Sequence, residues 1–250
     1  MPITIRYQTV KKEWEKVAEE ADIPEDVPFV WYDMAQPTLE ESELLTSKFG
    51  FDHLVMEDIV QTVPRPKFKD YQDYQILVYH AIHEKDYRAK PINVLMKHNL
   101  LITYHHESLD YLEDVQQALS SVHPSDMEPV DMALLILDKI IDQYFDYVHE
   151  VEDQVFSFED RHVNDTMDKY LMDDVFQIRS VLIKLKRVML PMLELIQHLK
   201  QEGNFAKTEQ QRFYIHSSFH FLKSFFSISF SASKRLIFSS GFSGRVLDLP

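Results

Sequence analysis

The sequence predicts a mixed α/β fold, α+β or α/β in class: a layered head over residues 1 to 124, followed by a long antiparallel helical hairpin. Three observations carry that expectation. Before residue 125, short β-rich runs alternate with helical ones, the pattern of a layered domain. After Pro129 the apolar residues settle into an unusually regular heptad spacing. No stretch reaches the about 20 predominantly apolar residues that a membrane-spanning helix needs; Phe219 to Ser233 comes nearest, but His220 and Lys223 interrupt it.

Within the head, Thr4 to Thr9 and Phe29 to Met34 read as strands, with a polar helix expected between them at Lys11 to Glu20. Thr38, followed three residues later by Glu41, has the form of a capping box opening a helix that runs to Phe49. Gly50 closes that helix. A second short helix is expected from His53 to Gln61, ended by Pro64 and Pro66. Tyr74 to His83, Ile92 to Lys97 and Leu100 to His105 are β-rich, and His98-Asn99 suits a tight turn between the last two. Ser108 to Ser120 completes the head as a helix.

The hairpin is expected over residues 125 to 215. Leu134, Leu137, Ile141, Tyr144, Val148, Val151, Val155 and Phe158 form one heptad seam. Leu171, Val175, Ile178, Leu182, Leu185, Met189, Met192, Ile196 and Leu199 form another. The short linker at His162 to Asp165 makes an antiparallel pair the natural solution. Pro191 is expected to kink or break the second helix. Charge is uneven across the pair: Asp131 to Asp160 holds nine acids and one lysine, whereas Arg179 to Lys200 holds five bases and one glutamate. Charge complementarity between the two helices is the simplest reading, and an acidic antenna for cations is the functional one.

From residue 216 to 250 the composition turns foreign, with ten serines, seven phenylalanines and Asp248 the only acid. This stretch reads as a divergent tail without helical or strand period, the product of an altered reading frame, an artefact or natural divergence.

Composition narrows the function. With 26 Lys and Arg against 41 Asp and Glu, the net charge of −15 repels nucleic-acid phosphate and anionic lipid and favours cations. The absence of cysteine removes disulfides, thiolate zinc sites and thiol nucleophiles, and fits a reducing cytosol. The N-terminus lacks the apolar segment and cleavage site of a secretory signal. His80, His83 and Glu84 look like a chelate but fall in a strand pattern, where residues three apart face opposite ways. His105, His106 and Glu107 share that fault. With four glycines no phosphate loop is in prospect, and no serine-nucleophile motif occurs. No enzyme is expected. What remains is carboxylate clustering, and hard divalent cations take oxygen ligands. Glu57 and Asp58 end a helical segment, and Asp138, Asp142 and Asp146 form a stripe on the long helix.

Over about residues 29 to 214 the chain resembles the CorA family of magnesium and cobalt transporters. The matching runs are WYDMAQPTLEESELLTSKFGFDHLVMEDIV, RPKFKDYQDYQILV, KHNLLITYHHE, ALLILDKIIDQYFDYVHEVEDQV and IRSVLIKLKRVMLPMLELI. The first two are the specific ones, because the tryptophan-aspartate strand, the Gly-x-x-His turn, the Glu-Asp pair and Arg-Pro-Lys keep the family's order. The resemblance implies a homopentamer, an α/β head hanging from long helices, and a stalk helix leading to the membrane. It also implies that Mg²⁺, or Co²⁺, bound between neighbouring subunits on the cytoplasmic side holds the pore closed. By position, Glu57 and Asp58 match the family's acidic residues for those sites, and Asp138 matches a carboxylate on the following long helix. Ser217 stands where the family's stalk has an aspartate, and His220 replaces a second acid. The membrane helices and Gly-Met-Asn signature of the family do not appear, so contact with a membrane is expected only through that region. The function implied is a cytoplasmic divalent-cation sensing and gating domain, unable to transport alone. The alternative is a soluble helical interaction module indifferent to metal.

Overall fold

A computed structural model describes residues 3–61, 65–107, 109–121, 127–162 and 169–239. Seven strands form one sheet: β1 (Ile3–Gln8), β2 (Trp14–Val17), β3 (Phe29–Ala35), β4 (Lys67–Asp70), β5 (Gln75–Ile82), β6 (Ala89–Lys97) and β7 (Leu100–His105). Their order across the sheet is β2-β1-β3-β7-β6-β5-β4. Every pairing is antiparallel except β3 with β7, which is parallel. The helices are α1 (Leu39–Ser47), α2 (His53–Gln61), α3 (Asp110–Ser121), α4 (Pro129–His162), α5 (Lys169–Gln201) and α6 (Glu209–Ser239).

Because alternate strand residues point to opposite faces, the sheet feeds two cores. On one face Tyr32, Ile76, Val78, Leu95 and Ile102 meet Leu45 of α1 and Met56 and Ile59 of α2. On the other, Trp31, Leu77, Tyr79, Val94 and Leu101 join the buried stripes of α3, α4, α5 and α6. The result is three layers, with α1 and α2 separated from the long helices by the sheet.

Local signals act as their chemistry dictates. The Thr38 hydroxyl accepts from the Glu41 N–H at 3.2 Å, and the Glu41 carboxylate accepts from the Thr38 N–H at 2.8 Å, completing the capping box. Gly50 sits at φ 69°, a left-handed conformation that costs an L side chain energy. His98, at φ 52°, turns β6 into β7. The expected helix at Lys11 to Glu20 is instead a hairpin arm. Lys12, at φ 67°, donates to the Thr9 carbonyl at 2.8 Å, and the chain folds back so that β2 pairs with β1. Edge packing, with Trp14 edge-on to Phe29 at 5.3 Å between centroids, overrides the weak helix preference of the Lys and Glu residues.

The tryptophan-aspartate strand is an interior feature. Trp31 Nε1 donates to Thr103 Oγ1 at 3.0 Å, Thr103 Oγ1 donates to Asp33 Oδ1 at 2.7 Å, and His105 Nε2 lies 3.0 Å from the same oxygen. These groups stitch β3 to its parallel partner β7 and satisfy buried polar atoms there.

Both heptad seams are buried along their described lengths, from Leu134 to Val155 on α4 and from Val175 to Leu199 on α5. The side chains of Phe158 and Leu171, and residues 163–165 of the expected linker, lie outside the described residues. α5 is continuous through Pro191, so of the two expected outcomes, a kink or a break, the break does not occur. Arg187, whose carbonyl loses the proline N–H, is exposed and that oxygen can turn to water. The expectation that no period survives after residue 216 does not hold either. α6 is helical to Ser239, and Gln211, Ile215, Ser218, Leu222 and Phe225 are buried at spacings of 4, 3, 4 and 3. Ser217 and Ser224 are exposed beside the stripe, whereas Ser218 is a buried position within it. Gln211 donates to Asp131 at 2.7 Å and Phe221 stacks on Phe145, so α6 runs in the same direction as α4.

Candidate functional site: the acidic positions

α2 is held to the sheet by Met56 and Ile59, which are almost completely buried. That anchoring turns Glu57 outward to solvent. Asp58 follows on the same helix, its side chain outside the described set. Beneath α2 lies a half-open cavity of about 130 Å³ between Leu54, Val55 and Ile59 above and Lys67, Lys69 and Tyr71 of the β4 edge. Among the described residues two lysines and no carboxylate line it.

Asp138 sits in the other helical layer, on α4, half-buried. Burial, then the neighbouring Asp142, raises its pKa above the ordinary carboxylate value, with Lys139 opposing them. Lys139 is itself tied to Asp142 at 2.8 Å. Asp142 and Asp146 are exposed. A four-residue spacing advances about 40° around a helix per step, so the stripe of three acids winds from a half-buried to an open position.

The structure therefore does not bring the sequence-predicted ligands together in one chain. Glu57 and Asp58 lie on the α1–α2 face and Asp138 on the α4 face, with the seven-stranded sheet between. Among the described residues no three His, Asp or Glu side chains converge as a metal site. Ser217 and His220 are exposed on α6, where His216 and His220 stand 4.3 Å apart between ring centroids. Burial, with Lys200 and His220 adding to it, lowers the His216 pKa. The other histidines of interest are engaged in the fold. His80 is buried on β5, and His83 Nδ1 pairs with Asp86 at 2.8 Å.

The chain is an α/β sheet domain carrying three long helices, with Glu57, Asp142 and Asp146 exposed to solvent. The chain belongs to the CorA-like Mg²⁺ transporter protein family, whose pattern matches residues 27–234. It is 26% identical over 200 residues to the putative metal ion transporter YfjQ of Bacillus subtilis, a match covering 79% of this chain and 62% of that protein. It is 21% identical over 192 residues to the cobalt/magnesium transport protein CorA of Methanocaldococcus jannaschii, covering 75% and 60% respectively. The chain thus spans about three-fifths of the length of these relatives. The soluble domain of CorA from M. jannaschii superposes with a TM-score of 0.78 at 19% identity, over 96% of this chain and 95% of that one. Among the described residues no helix is long and apolar enough to cross a membrane.

Proposed function

We propose that this chain is the divalent-cation sensing and gating domain of a CorA-type magnesium or cobalt transporter. In this reading it works on the cytoplasmic side of the membrane as a homo-oligomer, pentameric in the intact protein, and catalyses no reaction. Family membership supports the transporter reading. The observation that carries the sensing role is the outward display of Glu57 from a helix whose apolar side is fixed to the sheet. A carboxylate so placed cannot reach Asp138 through its own sheet, but it can meet a neighbouring subunit.

The mechanism is electrostatic. Carboxylates facing one another across a subunit boundary repel when empty, and a bound cation bridges them, biasing the assembly toward one closed arrangement. Glu57 and Asp58 supply oxygen ligands from one side, and Asp138 belongs to a second locus on the long helix. Mg²⁺ keeps most of its waters and uses one or two carboxylates. With Ser217 at the stalk position the opposing ligand is gone, and binding is millimolar.

Calorimetry at physiological salt tests this. Mg²⁺ should bind weakly to the chain and more weakly to Asp58→Ala. Ser217→Asp should tighten it, about tenfold for each regained interaction of about 1.4 kcal/mol. Tight binding indifferent to Asp58→Ala would place the cation elsewhere. An assembly unaffected by Mg²⁺ in every variant would leave an interaction module in place of a sensor.

A further inference from the structure

His105, at the end of β7, is 2% exposed, and both of its ring nitrogens meet oxygen. Nδ1 is 2.6 Å from the Glu107 carbonyl, and Nε2 is 3.0 Å from Asp33 Oδ1. A carbonyl can only accept, so Nδ1 donates there and carries a proton. Asp33 Oδ1 is an acceptor as well. The Thr103 hydroxyl takes a hydrogen bond from Trp31 Nε1 and directs its own proton to that oxygen at 2.7 Å. A neutral imidazole has one N–H, already committed to Glu107, and would turn a bare lone pair on the carboxylate. A second proton, on Nε2, converts that repulsion into a charge-assisted hydrogen bond.

The surrounding charges leave Asp33 as the ionised partner. Arg6 of β1, which donates to Gln116 of α3, lies close enough to feel the Asp33 charge, and a nearby cation favours the carboxylate form. Beyond His105 the Glu107 carboxylate is held by Arg88 at 2.5 and 2.8 Å, with Lys90 and His83 also acting on it. Glu113 and Asp114 of α3 are exposed, and His106 packs edge-on to Tyr104 instead of joining the pair.

We propose that His105 and Asp33 form a proton-operated clasp between β7 and β3, locked while Nε2 is protonated and loosened when that proton leaves. The clasp stands at the one parallel joint among the described strands. It also stands where the two strands hand the chain to opposite helical layers, β3 to α1 and β7 to α3. A change of alignment there reaches both layers. The device uses no metal and does not rest on the sensor reading.

Two-bond ¹H–¹⁵N NMR correlation on the full chain in EDTA is the test, with His105→Gln identifying the His105 signals. At neutral pH both His105 nitrogens should carry protons. As pH rises the Nε2 proton should be lost, and amide exchange in β3 and β7 should quicken relative to β5. Urea unfolding over the same range supplies a second readout. The folded pair holds a proton that the unfolded chain releases, so its stabilisation is present at the acid end of the histidine range and is lost as pH rises. In Asp33→Asn the amide can donate to a neutral imidazole, and the extra proton is no longer needed. Relative to that variant and to His105→Gln, the folding constant of the original chain should fall by up to about tenfold per pH unit. A single N–H on His105 at neutral pH, or the same pH slope in the original chain and both variants, would overturn the proposal. The NMR result on the original chain decides even if a variant does not fold. Asp58→Ala should leave both readouts unchanged, so failure here and failure of the sensor reading are separate results.

Discussion

The docking of the long helices on the sheet can be probed at a single hydroxyl. β4 pairs with β5 only as far as Val78, so the strand continues from Tyr79 to Ile82 without that neighbour. The helices cover the gap. The Tyr144 hydroxyl of α4 donates to the His80 carbonyl, and the His80 N–H meets Met192 Sδ of α5 at 3.2 Å. Tyr144 is fully buried, which pushes its pKa upward and keeps the phenol neutral. In Tyr144→Phe the ring still fills its space, but a buried carbonyl loses its donor, at a cost of about 1–3 kcal/mol. For a chain of this size each kcal/mol lowers Tm by about 2–4 °C. Tyr79→Phe is the internal control: its hydroxyl donates at 3.2 Å to the Ala133 carbonyl, a group already bonded within α4. That variant should lose only about 0.5–1.5 kcal/mol. Urea unfolding followed by fluorescence of Trp14 and Trp31 measures both. If Tyr144→Phe is neutral to within about 0.5 kcal/mol, the hydroxyl does not satisfy the strand edge and the reasoning fails.

Thr38→Ala removes one half of the capping box and should cost about 1 kcal/mol in the same unfolding experiment. Leu185→Ala, at a fully buried seam position of α5, should cost about 2–5 kcal/mol, the spread set by how far the cavity collapses. Asp138→Asn should stabilise the chain at neutral pH, because the folded pKa is raised by burial and Asp142 and the charged form is disfavoured. The sign is that of a raised carboxyl. The penalty is present above the folded pKa and disappears as pH falls toward the ordinary carboxylate value, so the difference between variant and original chain should shrink on acidification. Paired urea midpoints across that range would show it, and a constant difference would count against it.

The sequence by itself determined what contiguous residues can encode. The Thr38 and Glu41 cap, the glycine stop at Gly50, the β-rich runs of β3 and β5 to β7, and the heptad seams of α4 and α5 all depend on near neighbours or a fixed period. The two missed elements mark the limit of such signals. Lys11 to Glu20 has helical composition, yet its backbone groups pair with β1, a choice made by an edge already present. The seam of α6 uses Gln211 and Ser218 among its buried positions, so polarity hid a period that packing reveals.

For the candidate site, the residue types were legible and their arrangement was not. Carboxylates suit hard cations wherever they occur, and it was the resemblance by position to the family's acidic residues that singled out Glu57, Asp58 and Asp138 as ligands. Only the tertiary structure decided that α2 and α4 cover opposite faces of the sheet. The physical reason is that side-chain periodicity specifies which residues of an element are buried, whereas the layer receiving them is set by strand order. Here that order rests on a parallel pairing between β3 and β7, strands about 70 residues apart, which no local pattern records.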